Sequence, residues 1–256
     1  MKTTLFAFAF VVALSLSAMA ADSKKPAASV HRAGDPNIKV PHASGPPTAP
    51  PALCSPCLFY GGDLDVASPN AAGMSDENTL LIVGGSSTYS AVNIPAGVTA
   101  TVYGILYNIQ ADAAFDPPQG TYDIRTGVSD GDGGTSIASG TGTVEVQATG
   151  RNFLGLNEYT VALSFTPAVT LTSGEYWFNV TPQCLNTLDG SCNVFRQFYS
   201  NTTSLANGVH AGWQPIGQLY LNSSFFGFTY TDWCDSSLGF NSQQCAFGSF
   251  GLRGTE

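Results

Sequence analysis

The chain has 256 residues, with 18 acidic against 9 basic side chains and a formal net charge of −9. From residue 52 onward there are four arginines and no lysine against sixteen acids, which excludes the basic footprint that nucleic-acid binding requires. Beyond the first twenty residues no apolar run approaches the ~20 residues that a membrane-spanning helix needs.

Residues 1–20 have the pattern of a secretory leader. Lys2 supplies the positive start, Leu5 to Leu16 the short apolar run, and Ala18-Met19-Ala20 the small-x-small cleavage site. The expectation is therefore an exported protein, secreted or held at the cell surface, with no transmembrane segment in the mature chain. Residues 21–52 follow as a linker. Residues 21–51 hold seven of the fifteen prolines and almost no large apolar side chains, too little to offset the ordering entropy of a fold, and the segment reads as extended and disordered. Residues 53–256 are long enough for one substantial core.

Within that domain no segment sustains a 3.6-residue apolar period. Short apolar runs recur instead between Gly, Asn, Asp and Pro. They are Leu58–Leu64, Leu80–Val83, Ala91–Ile94, Thr99–Ile109, Tyr122–Arg125, Thr143–Ala148, Tyr159–Phe165, Val169–Cys184, Val194–Tyr199, Gln218–Leu221, Phe225–Tyr230 and Ala246–Leu252. In Thr99–Ile109 the alternation places Tyr103, Ile105, Tyr107 and Ile109 on one face. In Tyr159–Phe165 it places Tyr159, Val161, Leu163 and Phe165 inward and Thr160, Ala162 and Ser164 outward. After Ser173-Gly174 it places Tyr176, Phe178 and Val180 on one face and Glu175, Trp177, Asn179 and Thr181 on the other. So many short strands at this spacing predict an all-β fold, a two-sheet β-sandwich of jelly-roll type with disulfides.

The six cysteines in an exported chain point to disulfides. Local bridges are expected for Cys184 with Cys192 and for Cys234 with Cys245. Cys54-Ser55-Pro56-Cys57 has the C-x-x-C spacing of a redox site but lacks the following helix, so a structural bridge is the better reading. Zinc is disfavoured because no second C-x-x-C exists and the only histidines are His31, His42 and His210.

A series of short motifs runs through most of Phe59 to Leu252. It begins with Phe59-Tyr60-Gly61-Gly62-Asp63-Leu64-Asp65, Pro69-Asn70-Ala71-Ala72-Gly73, Glu77-Asn78 and Ile94-Pro95-Ala96-Gly97. It continues with Ile124-Arg125-Thr126-Gly127, Gly133-Gly134-Thr135, Ala138-Ser139-Gly140, Glu158-Tyr159, Leu171-Thr172-Ser173-Gly174-Glu175-Tyr176-Trp177 and Phe250-Gly251-Leu252. In this order they resemble a family of secreted microbial β-sandwich proteins marked by an L-x-x-G-x-Y-W strand. The resemblance implies a sandwich fold and an exported location, and it carries no catalytic residues. Members often end in a sorting anchor, and no such segment precedes Glu256, so the resemblance does not extend to sorting.

Three constellations bear on chemistry. The chain has no G-x-S-x-G and no H-E-x-x-H, and outside the linker only His210 could serve a triad, so an enzyme is not expected. The alternative, a polysaccharide-acting enzyme, would need two of Glu145, Glu158 and Glu175 to face each other across a groove. Asp63, Asp65, Asn70, Asp76 and Glu77 crowd oxygen ligands into one segment, which suits a structural Ca2+ ion. Asp130-Gly131-Asp132-Gly133-Gly134 lacks the later ligands of an EF-hand loop and reads as a hairpin turn. Trp177 with Glu175 and Asn179 on one strand face fits a sugar-binding platform, against the alternative that the indole is packed. The expectation is a non-catalytic module that binds extracellular polysaccharide or cell-envelope components, with a purely structural surface protein as a further alternative.

Overall fold

A computed structural model describes residues 51–65, 71–80, 82–111, 117–153, 155–184, 198–205, 207–209, 212–233 and 246–256, together with the backbone of 29–32. The fold is all-β. Among the described residues the only helical turn is a single 3-10 turn at Ala52–Cys54. No helix among them is long and apolar enough to cross a membrane.

Thirteen strands are joined by hydrogen bonds into one extensive, mainly antiparallel sheet. In chain order they are β1 (Ser29–Arg32), β2 (Cys57–Tyr60), β3 (Ala72–Ser75), β4 (Asn78–Thr79), β5 (Ser87–Ala111), β6 (Gln119–Thr126) and β7 (Thr135–Phe153). There follow β8 (Leu156–Cys184), β9 (Tyr199–Thr203), β10 (Gln214–Ser223), β11 (Phe228–Asp232), β12 (Phe247–Gly248) and β13 (Phe250–Thr255). β1 lies within the segment read as linker and pairs antiparallel with β3.

The short runs of the sequence merge into unusually long strands. β5 absorbs both Ala91–Ile94 and Thr99–Ile109, because Pro95-Ala96-Gly97-Val98 loops out without ending the ladder. Ile94 pairs with Gly174 and Thr99 resumes with Thr172. Gly97 sits at φ +82 with open space around it, a backbone region that a Cβ disfavours. β8 changes partner along its length. Its first half lies between β5 and β7, and its second half between β5 and β6. The hairpin turn expected at Asp130–Gly134 is present: Ser129 bridges Asp132, and the Gly134 amide donates to Asp132 Oδ1 at 2.9 Å.

Both halves of β5 and of β8 contribute to the largest apolar core. Val92 and Ile94 from the first half of β5 meet Ile105, Tyr107 and Ile109 from its second half, with Val161, Leu163, Phe178, Val180 and Phe250 between them. The Tyr107 hydroxyl donates across this core to the Phe178 carbonyl at 2.7 Å. Phe250 packs on Phe59, Tyr107 and Phe178 with ring centroids 5.0, 5.8 and 5.9 Å apart.

Three strand expectations need correction. Tyr103 leaves the core face because the register shifts between Val102 and Gly104. That bulge hands the inward position to Val102 and leaves the Tyr103 ring under the Arg253 guanidinium at 5.9 Å. The run Leu80–Val83 forms no strand among its described residues, where Leu80 and Val83 are exposed and Ile82 is buried. Thr160 and Ala162 do point away from the main apolar core but are buried all the same, Thr160 against Asn108 and Ala162 in a smaller apolar cluster with Cys54, Tyr60 and Leu106.

Cys54 and Cys57 form a disulfide, the structural bridge anticipated for C-x-x-C, and Cys184 is also disulfide-bonded. Cys192, Cys234 and Cys245 lie outside the described residues. Phe250→Ala would open a void against three aromatic rings and should cost about 3–5 kcal/mol. Ile137→Ser, at a position 43 % exposed, should change stability by under about 0.5 kcal/mol. Urea unfolding of both variants checks the pair.

Candidate functional site

The residues singled out from the sequence fall into three places. The first is a buried ionic clamp. On β5 the polar Asn108 and Gln110 alternate with Tyr107 and Ile109 and so face away from the apolar core, yet all four are fully buried. Over that face Asp63 and Glu158 are bridged by Arg151 from β7. Arg151 donates from Nη1 and Nη2 to the two Asp63 oxygens at 3.0 and 2.9 Å, and from Nε to Glu158 Oε2. Asn207 Nδ2 donates to Asp63 Oδ2 at 2.7 Å, the Tyr60 hydroxyl to Asp63 Oδ1, Asn201 Nδ2 to Glu158 Oε1 at 2.8 Å, and Thr149 Oγ1 to Glu158 Oε2 at 2.9 Å. Asn108 Nδ2 donates to Tyr60 Oη and Ser249 Oγ, while Thr160 donates to Asn108 Oδ1. Burial raises the Glu158 carboxyl, with Arg151 working against the rise. With both carboxylates held by fixed donors, the clamp holds five strands together.

The second place is the pair Asp76 and Glu77, both 0 % exposed. They sit just after β3 and are satisfied by neutral donors. Asp76 accepts from the Ser200 hydroxyl, Asn179 Nδ2, Thr181 Oγ1 and the Thr88 amide. Glu77 accepts from Ser75 Oγ at 2.7 Å and from the Asp76 and Phe198 amides. Burial without a cation pushes each carboxyl up to about 8, so both hold a proton near neutrality.

These two places account for the expected calcium loop. Asp63 and the Asp76–Glu77 pair belong to different clusters, and Arg151 occupies both Asp63 oxygens that an ion would need. Asp65 is partly buried and Asn70 lies outside the described residues. Among the described residues no three His, Cys, Asp or Glu side chains are grouped to hold a metal ion. The three glutamates weighed for hydrolysis are likewise apart in their engagements. Glu158 is in the clamp, Glu145 pairs with Arg253 at 3.3 Å, and Glu175 accepts from Trp177.

The third place is the outer face where β5, β6, β8 and β10 lie side by side. The face carrying Glu175, Trp177, Asn179 and Thr181 is not an open platform, which corrects the reading of Trp177 as an exposed stacking surface. Trp177 is 1 % exposed because Tyr220 of β10 stands edge-on against it, centroids 4.9 Å apart. Asn179 is 2 % exposed and belongs to the Asp76 cluster. Only Glu175 stays at the surface, accepting from Trp177 Nε1 at 2.8 Å.

Beneath this face lies a buried aromatic group of Tyr89, Trp177 and Tyr220, with the partly buried Ile216 and Tyr230 packed against it. Tyr230 packs on Tyr89 at 5.3 Å and under the Arg125 guanidinium at 5.3 Å. Its φ is +40, a conformation that costs a bulky residue of order 1–3 kcal/mol and tends to occur at ligand sites. The ring lies so close to Gly133 that no Cβ would fit there. Arg125 is fixed by Asp123 and by the Gly133 carbonyl, and Asp123 also accepts from Tyr89 at 3.0 Å and Ser136 at 2.6 Å. Burial and then Asp123 raise the Tyr89 phenol, which therefore stays a hydrogen-bond donor. Alternation named Trp177 and Glu175, but Tyr89, Arg125, Tyr220 and Tyr230 come from strands that only the sheet order brings alongside.

Neither a protein-family model, nor a curated protein, nor a solved structure matches this chain.

The buried acids set a pH dependence. Their pKa values are raised in the folded state, so folding takes up protons, and the contribution is fully present below about pH 4 and lost as pH rises through about 8. The melting temperature should therefore be higher at pH 5 than at pH 8.5. Asp76→Asn, which removes one of two similar titrations, should cut that difference by about half. Arg151→Met should cost about 3–5 kcal/mol, because it strands two buried carboxylates; chemical denaturation measures it.

Proposed function

We propose that this chain is an exported, non-catalytic β-sandwich module of jelly-roll type that binds carbohydrate, in the extracellular space or on the cell envelope. The observation that carries the reading is the strained, partly exposed Tyr230, backed by the buried rings of Tyr89, Trp177 and Tyr220 and flanked by the Asp123–Arg125 pair and Glu175. Sugar rings offer flat C–H faces to aromatic rings and hydroxyls to neighbouring polar groups, and a rigid mixture of both on a strand face suits them. The secretory leader and the disulfides agree with an oxidising, extracellular setting. The sandwich form is supported by β5 and β8, whose two halves contribute to facing sides of one core. A non-catalytic role is supported by the separate engagement of Glu145, Glu158 and Glu175.

The test mixes the chain with a panel of insoluble polysaccharides and measures both protein depleted from solution and reducing ends released. Depletion without release is expected. Tyr230→Ala should weaken that binding about tenfold and lower the melting temperature only modestly, since it removes one partly buried ring while a Cβ still occupies the disfavoured backbone region. Released reducing ends would overturn the non-catalytic reading. Neither depletion nor release would leave a structural surface protein as the better account.

A further inference from the structure

The sheet leaves one long edge open. β7 ends the sheet path, beyond β6. It takes β6 as neighbour from Thr135 to Thr143 and β8 from Thr143 to Phe153, one after the other along its length. The start of β6 adjoins this part of β8, since a Cβ on Gly120 would stand 3.1 Å from Leu163 Cδ1. Both ladders therefore run along one side of β7, and its other side meets no strand among the described residues. The other strands with a single neighbour there, β1, β2, β4, β11 and β12, have two to five residues against the 19 of β7. β11 is moreover held by the β6–β7 turn, where the Gly131 amide donates to the Tyr230 carbonyl and the Asp232 amide to Asp130 Oδ1, both at 3.1 Å.

An open edge offers N–H and C=O groups to any further strand, and short length, lysine, proline or a bulge normally blunts it. β7 has neither lysine nor proline. Its register slips only towards the ends. Ile137 is the extra residue at one slip, and residues 149–151 stand against Glu158 at the other. Every residue from 138 to 148 between them is paired, so this stretch is a regular template. Ser139, Thr141, Thr143, Glu145 and Gln147 are exposed on its outer face, while Ala138, Val144 and Val146 turn to the apolar core. Glu145, paired with Arg253 at 3.3 Å, is the one charged side chain in the stretch.

We propose that this edge pairs with the same edge of a second copy of the chain, antiparallel about a two-fold axis at Thr143, so that one sheet runs through a homodimer. The register keeps the core-facing row of both copies on the same side. Thr143 stands opposite its own counterpart, Glu145 opposite Thr141, and Gln147 opposite Ser139, so polar side chains meet and no two carboxylates do. On the inner row Val144 faces Gly142 and Val146 faces Gly140, large against small. An axis at Glu145 instead would set two carboxylates face to face. The occupant is a second copy because the stretch is complementary to itself in this one alignment.

Sedimentation velocity on the full chain, from about 1 μM to about 1 mM, reads the association. A monomer–dimer equilibrium is expected. Thr143→Lys, at an exposed position, sets two ammonium groups opposite each other and should weaken dimerisation at least about tenfold. An unchanged melting temperature at high dilution confirms that the variant folds. Under mild oxidation Thr143→Cys should give a cross-linked dimer on a non-reducing gel, and Thr141→Cys, facing Glu145, should not. A wild-type chain that stays monomeric throughout overturns the proposal and leaves the edge to a strand of another protein. A dimer as tight in Thr143→Lys as in the wild type overturns its assignment to β7. Cross-linking of Thr141→Cys as readily as Thr143→Cys overturns the register.

Discussion

The fold depends on how Arg151 reconciles two buried carboxylates. Asp63 follows β2 and Glu158 begins β8, far apart in sequence, and neither could be buried ionised without a fixed cation between them. Arg151 serves both because its guanidinium is planar and presents Nη1 and Nη2 to one carboxylate and Nε to the other. Around it every strand on that side contributes a polar group: Tyr60, Asn108, Thr160, Asn201, Asn207 and Ser249. The result is a sheet whose two faces are buried for opposite reasons. One face is apolar and non-directional, so it drives burial. The other is a hydrogen-bonded layer whose geometry admits only one register, because a slip of one residue would leave its donors without acceptors.

The outer aromatic face follows from the same architecture. β8 is long enough to line the ionic clamp with its first half and the aromatic group with its second, and β5 does the same in the opposite direction. The bend at Pro95–Val98 and Gly174 turns a residue pattern that is continuous in sequence into two environments. Glu158 and Trp177 sit on one strand, yet one lies in a buried ion network and the other in a buried aromatic group against Tyr220. The rigidity of the clamp side gives Tyr220, Tyr230 and Arg125 a firm base. Tyr230 can hold a disfavoured backbone conformation because Tyr89, Gly133 and Arg125 together fill the space it would relax into.

Asp76 and Glu77 show a different solution to the same constraint. They have no arginine, and the domain has few to spare. Neutral hydroxyls, amides and backbone N–H groups take that place, and a proton on the carboxyl replaces the missing cation. Two acidic sites in one small domain are thus accommodated differently, one by a guanidinium and one by neutral donors. Composition alone could not separate them, since an aspartate reads the same whether an arginine or a serine faces it.

The pattern of apolar, polar and turn residues was enough to establish an all-β chain, the inward faces of Tyr159–Phe165 and Tyr176–Val180 and the Asp130–Gly134 turn, and the cysteines anticipated the Cys54–Cys57 bridge. These are local properties, because a period of two and a tight turn depend only on neighbours in the chain. Asn108 and Gln110 hinted at the polar layer, as two amides in an otherwise apolar strand. The bulge at Tyr103, the burial of Trp177 against Tyr220, the partition of Asp63 from Asp76 and the packing of Tyr230 on Tyr89 were decided by tertiary structure alone. Each depends on which strand lies beside which, a choice made by burial and hydrogen-bond satisfaction over the whole sheet. The sequence by itself therefore determined the type of element and which face turns inward, and the closed sheet decided what those faces meet.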